Sequence, residues 1–267
     1  MTARTAARRA CAGAALMLAL VVSACGRAGL DSDAAGGDTA TAASASSARG
    51  TVVVLAAASL TDAFDRITAD FEAAHPGVDV SVSYGSSSTL VQQANHGAPA
   101  DVLALAGEAA AGPLDPSLVR ERAVFATNVL EIAVPPGNPA HVGSLRDLGR
   151  PGLALVLCAS RAPCGAASDA ILAKAGVAPS VVSREVDVKA TLAKVRLGEA
   201  DAAVVYASDV AAAKGAVTGI RIPPEANTTL RYPVLRLDDD AATRAYVDFV
   251  RSDAARSTLE SVGFGAP

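Results

Sequence analysis

The chain has 267 residues, 51% of them hydrophobic but only 3% aromatic, with no Trp and a formal net charge of −4. That length suits two domains, and the composition suits Ala-rich helices on buried strands while excluding a site built from aromatic stacking. Without a basic stripe, nucleic acid is excluded as a partner.

Residues 1–24 read as an export signal: Arg4, Arg8 and Arg9, an apolar run from Ala12 to Val22, then small residues. The run is too short to span a bilayer comfortably. Removing the signal takes away three arginines and no acid, which moves the charge from −4 to −7. From Arg27 the chain is almost entirely Ala, Gly, Ser, Thr and Asp as far as Gly50. Such a stretch buries no core, so residues 25–49 read as a flexible tether.

The folded part begins near Thr51. Val52 to Ala58 is apolar without alternation, the pattern of a strand covered on both faces. Ser59 stops the run, and Leu60, Ala63, Phe64, Ile67 and Phe71 follow at helical spacing. Ser59 with Asp62 resembles a capping box, and a helix start after a buried strand is an anion seat. Similar helix starts recur three times. Val78 to Tyr84 alternates as a strand and leads through Gly85-Ser86-Ser87-Ser88-Thr89 into a helix. Leu153 to Leu157 leads through Cys158 and Pro163-Cys164-Gly165 into a third helix, from about Ala166. Asp187 precedes the fourth. Further strands are expected at Val102–Ala106, Asn128–Val134, Ala202–Tyr206 and Arg231–Leu237, with two short helices from about Asp240. Strand–helix alternation predicts an α/β fold with parallel sheets, whose ligands sit at the carboxyl ends of the strands. The four helix starts and Tyr206 all lie at such ends.

Ala56-Ala57-Ala58-Ser59-Leu60-Thr61-Asp62, Tyr84-Gly85-Ser86-Ser87-Ser88-Thr89-Leu90, Gly97-Ala98-Pro99-Ala100-Asp101 and Val205-Tyr206-Ala207-Ser208-Asp209 occur in one order. Together they strongly resemble the molybdate-binding proteins of bacterial ABC importers, from about Thr51 to the end. The resemblance implies a two-lobed type II periplasmic-binding-protein fold, each lobe a mostly parallel sheet flanked by helices, with the ligand in the cleft. Lobe one would hold 51–127 plus 232–267, and lobe two 128–231. It also implies capture of molybdate, with tungstate, for an ABC permease, by a monomer without cofactor. Carried over by motif, the hydroxyl donors are Ser59, Ser87 and Tyr206, and the backbone amides those of Ser59, Ser87, Cys164 and Val188. The metal would enter only as an oxyanion, so no bare-cation site is implied. The sequence departs from the family pattern at Gly107-Glu108-Ala109, on the expected cleft rim. Val22-Ser23-Ala24-Cys25-Gly26 matches the lipobox of bacterial lipoproteins, which implies lipidation of Cys25 and attachment to the outer face of the cell membrane.

None of the five carried-over positions is Lys or Arg, so the anion would be held by neutral donors and helix dipoles. A donor-only pocket suits a dianion without a proton. Phosphate brings a proton that needs an acceptor, unless Asp62 or Asp187 points inward. Sulfate has none and is rejected only by size, so another tetrahedral oxyanion such as sulfate, or a small organic acid, is the alternative ligand. An enzyme is not expected: His75, His96 and His141 lie in breaker or helix-end contexts, and there is no G-x-S-x-G elbow. Cys158 and Cys164, in an oxidising compartment and six apart, fit neither a redox nor a zinc pattern. They read as a disulfide, with two free thiols as the other possibility.

Overall fold

The computed structural model describes residues 48–267. The signal, Cys25 and nearly all of the tether lie outside the described residues.

The Val52–Ala58 run becomes the strand β1 (Gly50–Ala57), whose apolar residues are buried on both faces as expected except for the half-buried Val53. It lies between two parallel neighbours, β2 (Val78–Gly85) and β3 (Val102–Ala104), with Val54 paired to Val82 on one side and Val102 on the other. A short 3-10 turn at Ala58–Leu60 leads into helix α1 (Thr61–Ala74). Ala63, Phe64, Ile67 and Phe71 are fully buried, which confirms the helical spacing. Helix α2 (Ser87–Asn95) follows β2 and buries Leu90, Val91 and Ala94.

β4 (Glu121–Val134) is twice the length expected. Its charged first half, interrupted by a bulge between Val124 and Ala126, shows no apolar alternation and so gave no strand signal. Beyond it come β5 (Leu155–Cys158), helix α3 (Pro163–Lys174), β6 (Val181–Glu185), helix α4 (Val188–Arg196), β7 (Ala202–Tyr206) and helix α5 (Ala207–Ala212). The chain closes with β8 (Thr218–Arg221), β9 (Thr229–Arg236), α6 (Ala241–Val250) and α7 (Asp253–Ser261). β6 and β8 escaped the sequence reading because they are short, peripheral and only half-buried.

The strands run in the order β2-β1-β3-β9-β4-β7-β5-β6, with β8 also on β4. The strands that feed helices pair in parallel: β1 with β2 and β3, β5 with β6 and β7. All pairs involving β4 or β9 are antiparallel, so the sheet as a whole is mixed, with a parallel set toward each end. The cause is that these two strands join the parallel sets. β4 pairs with β9 through Val129, then with β7 and β8 from Leu130 onward.

This α/β arrangement is the type II periplasmic-binding-protein fold. Its parallel sets, β2-β1-β3 and β7-β5-β6, each deliver helix starts at their carboxyl ends. No helix among the described residues is long and apolar enough to cross a membrane.

Candidate functional site

The ends of six strands line one small cavity, formed by Ala57, Ala58, Ser59, Gly85, Ser86, Ser87, Ala106, Pro163, Cys164, Asp187, Val188 and Tyr206. All five expected positions, Ser59, Ser87, Cys164, Val188 and Tyr206, are among them. The centre of a water-sized sphere can move over only ≈ 20 Å³ here, little more than one ordered water needs. Gly107-Glu108-Ala109, where the sequence departs from the family pattern, lines a separate and larger depression with Arg161 and Arg231. The two share Ala106 and Pro163, so the departure alters the surroundings of the cavity and not its donors.

Ser59 is not the helix cap that its spacing to Asp62 suggested. The 3-10 turn takes Ala57 and α1 takes Leu60 as N-caps, neither with a side-chain cap bond. The buried Ser59 hydroxyl instead lies 3.0 Å from the Tyr232 hydroxyl. Asn128 Nδ2 donates to Tyr232 Oη at 3.5 Å and to Ser208 Oγ at 2.8 Å. Between Ser59 and Tyr232 either hydroxyl can be the donor; when Tyr232 donates, the Ser59 proton is free to face the cavity.

Ser87 repeats this logic. It is the first residue of α2 and caps nothing; its Oγ accepts the Ala106 backbone N–H at 2.9 Å. Its own proton has no protein acceptor among the described residues. Tyr206 ends β7, and its buried hydroxyl has no hydrogen-bond partner among the described residues. Burial pushes its pKa well above the ordinary tyrosine value, reinforced by Tyr232 and Asp209 nearby, so it stays a neutral donor. A buried hydroxyl without a partner costs stability, and it lines a cavity where an acceptor would relieve that cost.

Backbone donors complete the lining. Ser87 and Val188 are the first residues of α2 and α4, and Ser59 lies in the 3-10 turn before α1. Cys164 is the second residue of α3, after Pro163, which has no N–H. Such early N–H groups have no carbonyl one turn back to bond. The Cys164 amide is held by the Cys158–Cys164 disulfide, expected from the sequence and present in the structure. Gly165 makes the tight loop possible: a Cβ there would lie 2.1 Å from the Ala159 carbonyl oxygen.

Asp187 is the only charged residue in the lining, and its Oδ1 accepts the Ala190 N–H as the cap of α4. Asp62 is turned to Lys189, 2.5 Å away. Neither carboxylate oxygen so engaged is free for a protonated ligand. Among the described residues no cluster of three or more His, Cys, Asp or Glu side chains could hold a cation.

The sequence reading missed the second layer: Tyr232, Asn128 and Ser208 behind Ser59, and Lys189 with Asp209. β9 was read only as a return strand, and nothing in its local pattern shows that Tyr232 meets a serine 173 positions away.

The model of the family described as "Bacterial extracellular solute-binding protein" matches residues 52–265. The chain belongs to that family. Among the similar members is the molybdate-binding protein ModA of Mycobacterium tuberculosis, 38% identical over 221 residues, covering 81% of this chain and 85% of that one. In fold, this solute-binding protein resembles the periplasmic molybdate-binding protein of Azotobacter vinelandii (TM-score 0.71, 18% identity, 81% of this chain and 99% of that one). It also resembles the sulfate-binding protein SubI of Mycobacterium tuberculosis (TM-score 0.70, 18% identity, 81% and 86%). At 18% identity these two establish the shared fold alone.

Proposed function

We propose that this chain is the solute-binding component of a bacterial ABC importer for molybdate and tungstate, anchored to the outer face of the membrane by lipid on Cys25. The observation that carries the reading is the set of hydroxyls of Ser59, Ser87 and Tyr206, those of Ser87 and Tyr206 without a protein acceptor among the described residues, at a cavity lined by first-turn amides. Such a pocket favours a ligand rich in acceptors. Each hydrogen bond to a charged group contributes roughly 1.5–3 kcal/mol, and each helix start roughly 0.3–1 kcal/mol. Translational and ordering costs offset part of that sum.

The small volume weighs against an organic acid and for a compact tetrahedral ion. Asp62, paired with Lys189, is outside the cavity lining, and Asp187 Oδ1 is engaged as a helix cap, so Asp187 Oδ2 is the one carboxylate oxygen left in the lining to take a ligand's proton. The 38% identity to a named molybdate-binding protein supports molybdate over sulfate, which the same donors could hold.

Calorimetry of the protein against molybdate, tungstate, sulfate and phosphate tests the assignment. We expect tight binding of molybdate and tungstate, weak binding of sulfate and none of phosphate; a preference for sulfate would reverse it. The anchor is tested separately. Cys25→Ala should release the protein from the membrane fraction or leave the signal uncut, and unchanged fractionation and processing would exclude it.

A further inference from the structure

Behind the cavity, and not lining it, three charged side chains meet. Lys189 Nζ lies 2.5 Å from Asp62 Oδ2 and 3.6 Å from Asp209 Oδ1. Asp62 is in the first turn of α1, which follows β1. Lys189 and Asp209 are on α4 and α5, which follow β6 and β7 of the other parallel set.

Each member sits beside a proposed anion donor. Lys189 directly follows Val188, Asp62 is three residues after Ser59, and Asp209 three after Tyr206. The Asp209 carboxylate is fully buried: Oδ2 accepts the Tyr206 N–H at 3.3 Å, while Oδ1 has no hydrogen-bond partner. Asp209 Oδ1 therefore faces Lys189, 3.6 Å away, and no hydrogen-bond donor among the described residues. Asp62, by contrast, is partly solvated and belongs to the opposite wall.

Resting on the oxyanion-binding reading, we propose that Lys189, aimed by Asp209, is a latch that closes onto Asp62 and holds the cavity shut over its anion. It is a positioning residue, since it reaches none of the cavity surface. The Ser59 wall cannot part from the Val188 and Tyr206 walls without breaking the Lys189–Asp62 pair. The latch acts on release: a bound anion leaves only after that pair opens.

The sign of one substitution separates this from simple electrostatics. Asp62→Asn removes a negative charge near a dianion site, so through-space repulsion alone predicts tighter binding. The latch predicts weaker binding, by about threefold for a partly exposed pair, carried by the dissociation rate with the association rate nearly unchanged. Lys189→Met should weaken binding further, and Lys189→Arg should restore most of the slow release.

The experiment is stopped-flow and calorimetric binding of molybdate to the wild-type protein, these three variants and the Asp62→Asn/Lys189→Met double variant. Denaturation of the same proteins without anion runs alongside. In the anion-free cycle the joint loss of stability should be smaller than the sum of the single losses. Tighter or unchanged binding by Asp62→Asn would overturn the latch, as would strictly additive losses. Wild-type protein that binds no oxyanion would overturn the function and the latch together. Binding by the wild type with additive single losses would overturn the latch alone.

Discussion

Tyr206 carries two expectations that differ by one atom. If its ring merely fills the core, Tyr206→Phe removes an unpartnered hydroxyl and leaves anion affinity intact. If the hydroxyl holds the anion, the same change weakens molybdate binding roughly tenfold to a hundredfold. The unliganded melting temperature then holds or rises slightly, because a buried group without a partner has been removed. Ser59→Ala should lose affinity similarly. It should also cost some stability, since Tyr232 then loses its 3.0 Å hydroxyl partner. Calorimetry and melting of both variants decide, and full affinity in both would refute the donor set.

Asp209 shows the opposite balance. Burial lifts its pKa from 3.8 to about 6, against the pull of Lys189 and the Tyr206 N–H, with Asp62 adding a smaller upward push. The folded state therefore binds this proton more tightly than the unfolded one. Its contribution to stability is largest below the unfolded value near pH 4 and is lost as pH rises through 6. Asp209→Asn, which does not titrate, should gain on wild type across that window by up to about 3 kcal/mol. Unfolding midpoints at pH 4.5 and 8 test this, and an equal difference at both would contradict it. A buried carboxylate retained at a cost to stability fits a functional role.

At the scale of elements, the parts legible in the sequence were those whose signal is local. β1 and β7 announced themselves by unbroken apolar runs, α1 by its spacing, and the loops by Gly, Pro and Ser. The five cavity positions were legible because each lies beside such a boundary, although which amides meet was carried by the resemblance and not by any pattern. The early part of β4, the edge strands β6 and β8, and Tyr232 behind Ser59 were not legible. Their placement depends on partners far along the chain, and short or half-buried strands carry little periodicity. Ser59 shows how a local rule misleads: its spacing to Asp62 fits a capping box, yet a 3-10 turn intervenes and the hydroxyl is drawn to Tyr232.

The α3 start offers a test at this scale. Gly165 has room for a hydrogen only, with the Ala159 and Cys158 carbonyls pressed against it. Gly165→Ala should displace the Cys158–Cys164 loop, cost roughly 1–3 kcal/mol of stability, and weaken anion binding through the shifted Cys164 amide. A variant of wild-type stability and affinity would show that the loop is not held as tightly as described.

For the whole molecule, two parallel sets joined through β4 and β9 suggest how the cavity fills. We propose that residues 51–127 with 232–267, and residues 128–231, move as two lobes about the β4–β9 connection. The donors of Ser59 and Ser87 then belong to one lobe, and those of Cys164, Val188 and Tyr206 to the other. An anion bridging them draws the lobes together, so small-angle scattering should show a smaller radius of gyration with molybdate than without. An unchanged radius at saturating molybdate would count against the hinge.

The central claim is that neutral hydroxyls and helix-start amides hold a tetrahedral dianion in this cavity. Its most direct test is the anomalous scattering of tungsten in crystals of the protein grown with tungstate. A single strong peak is expected in the cavity, with Ser59 Oγ, Ser87 Oγ and Tyr206 Oη all within hydrogen-bond distance of its oxygens. A peak beside Arg161 and Arg231 in the neighbouring depression, with the cavity empty, would contradict the account.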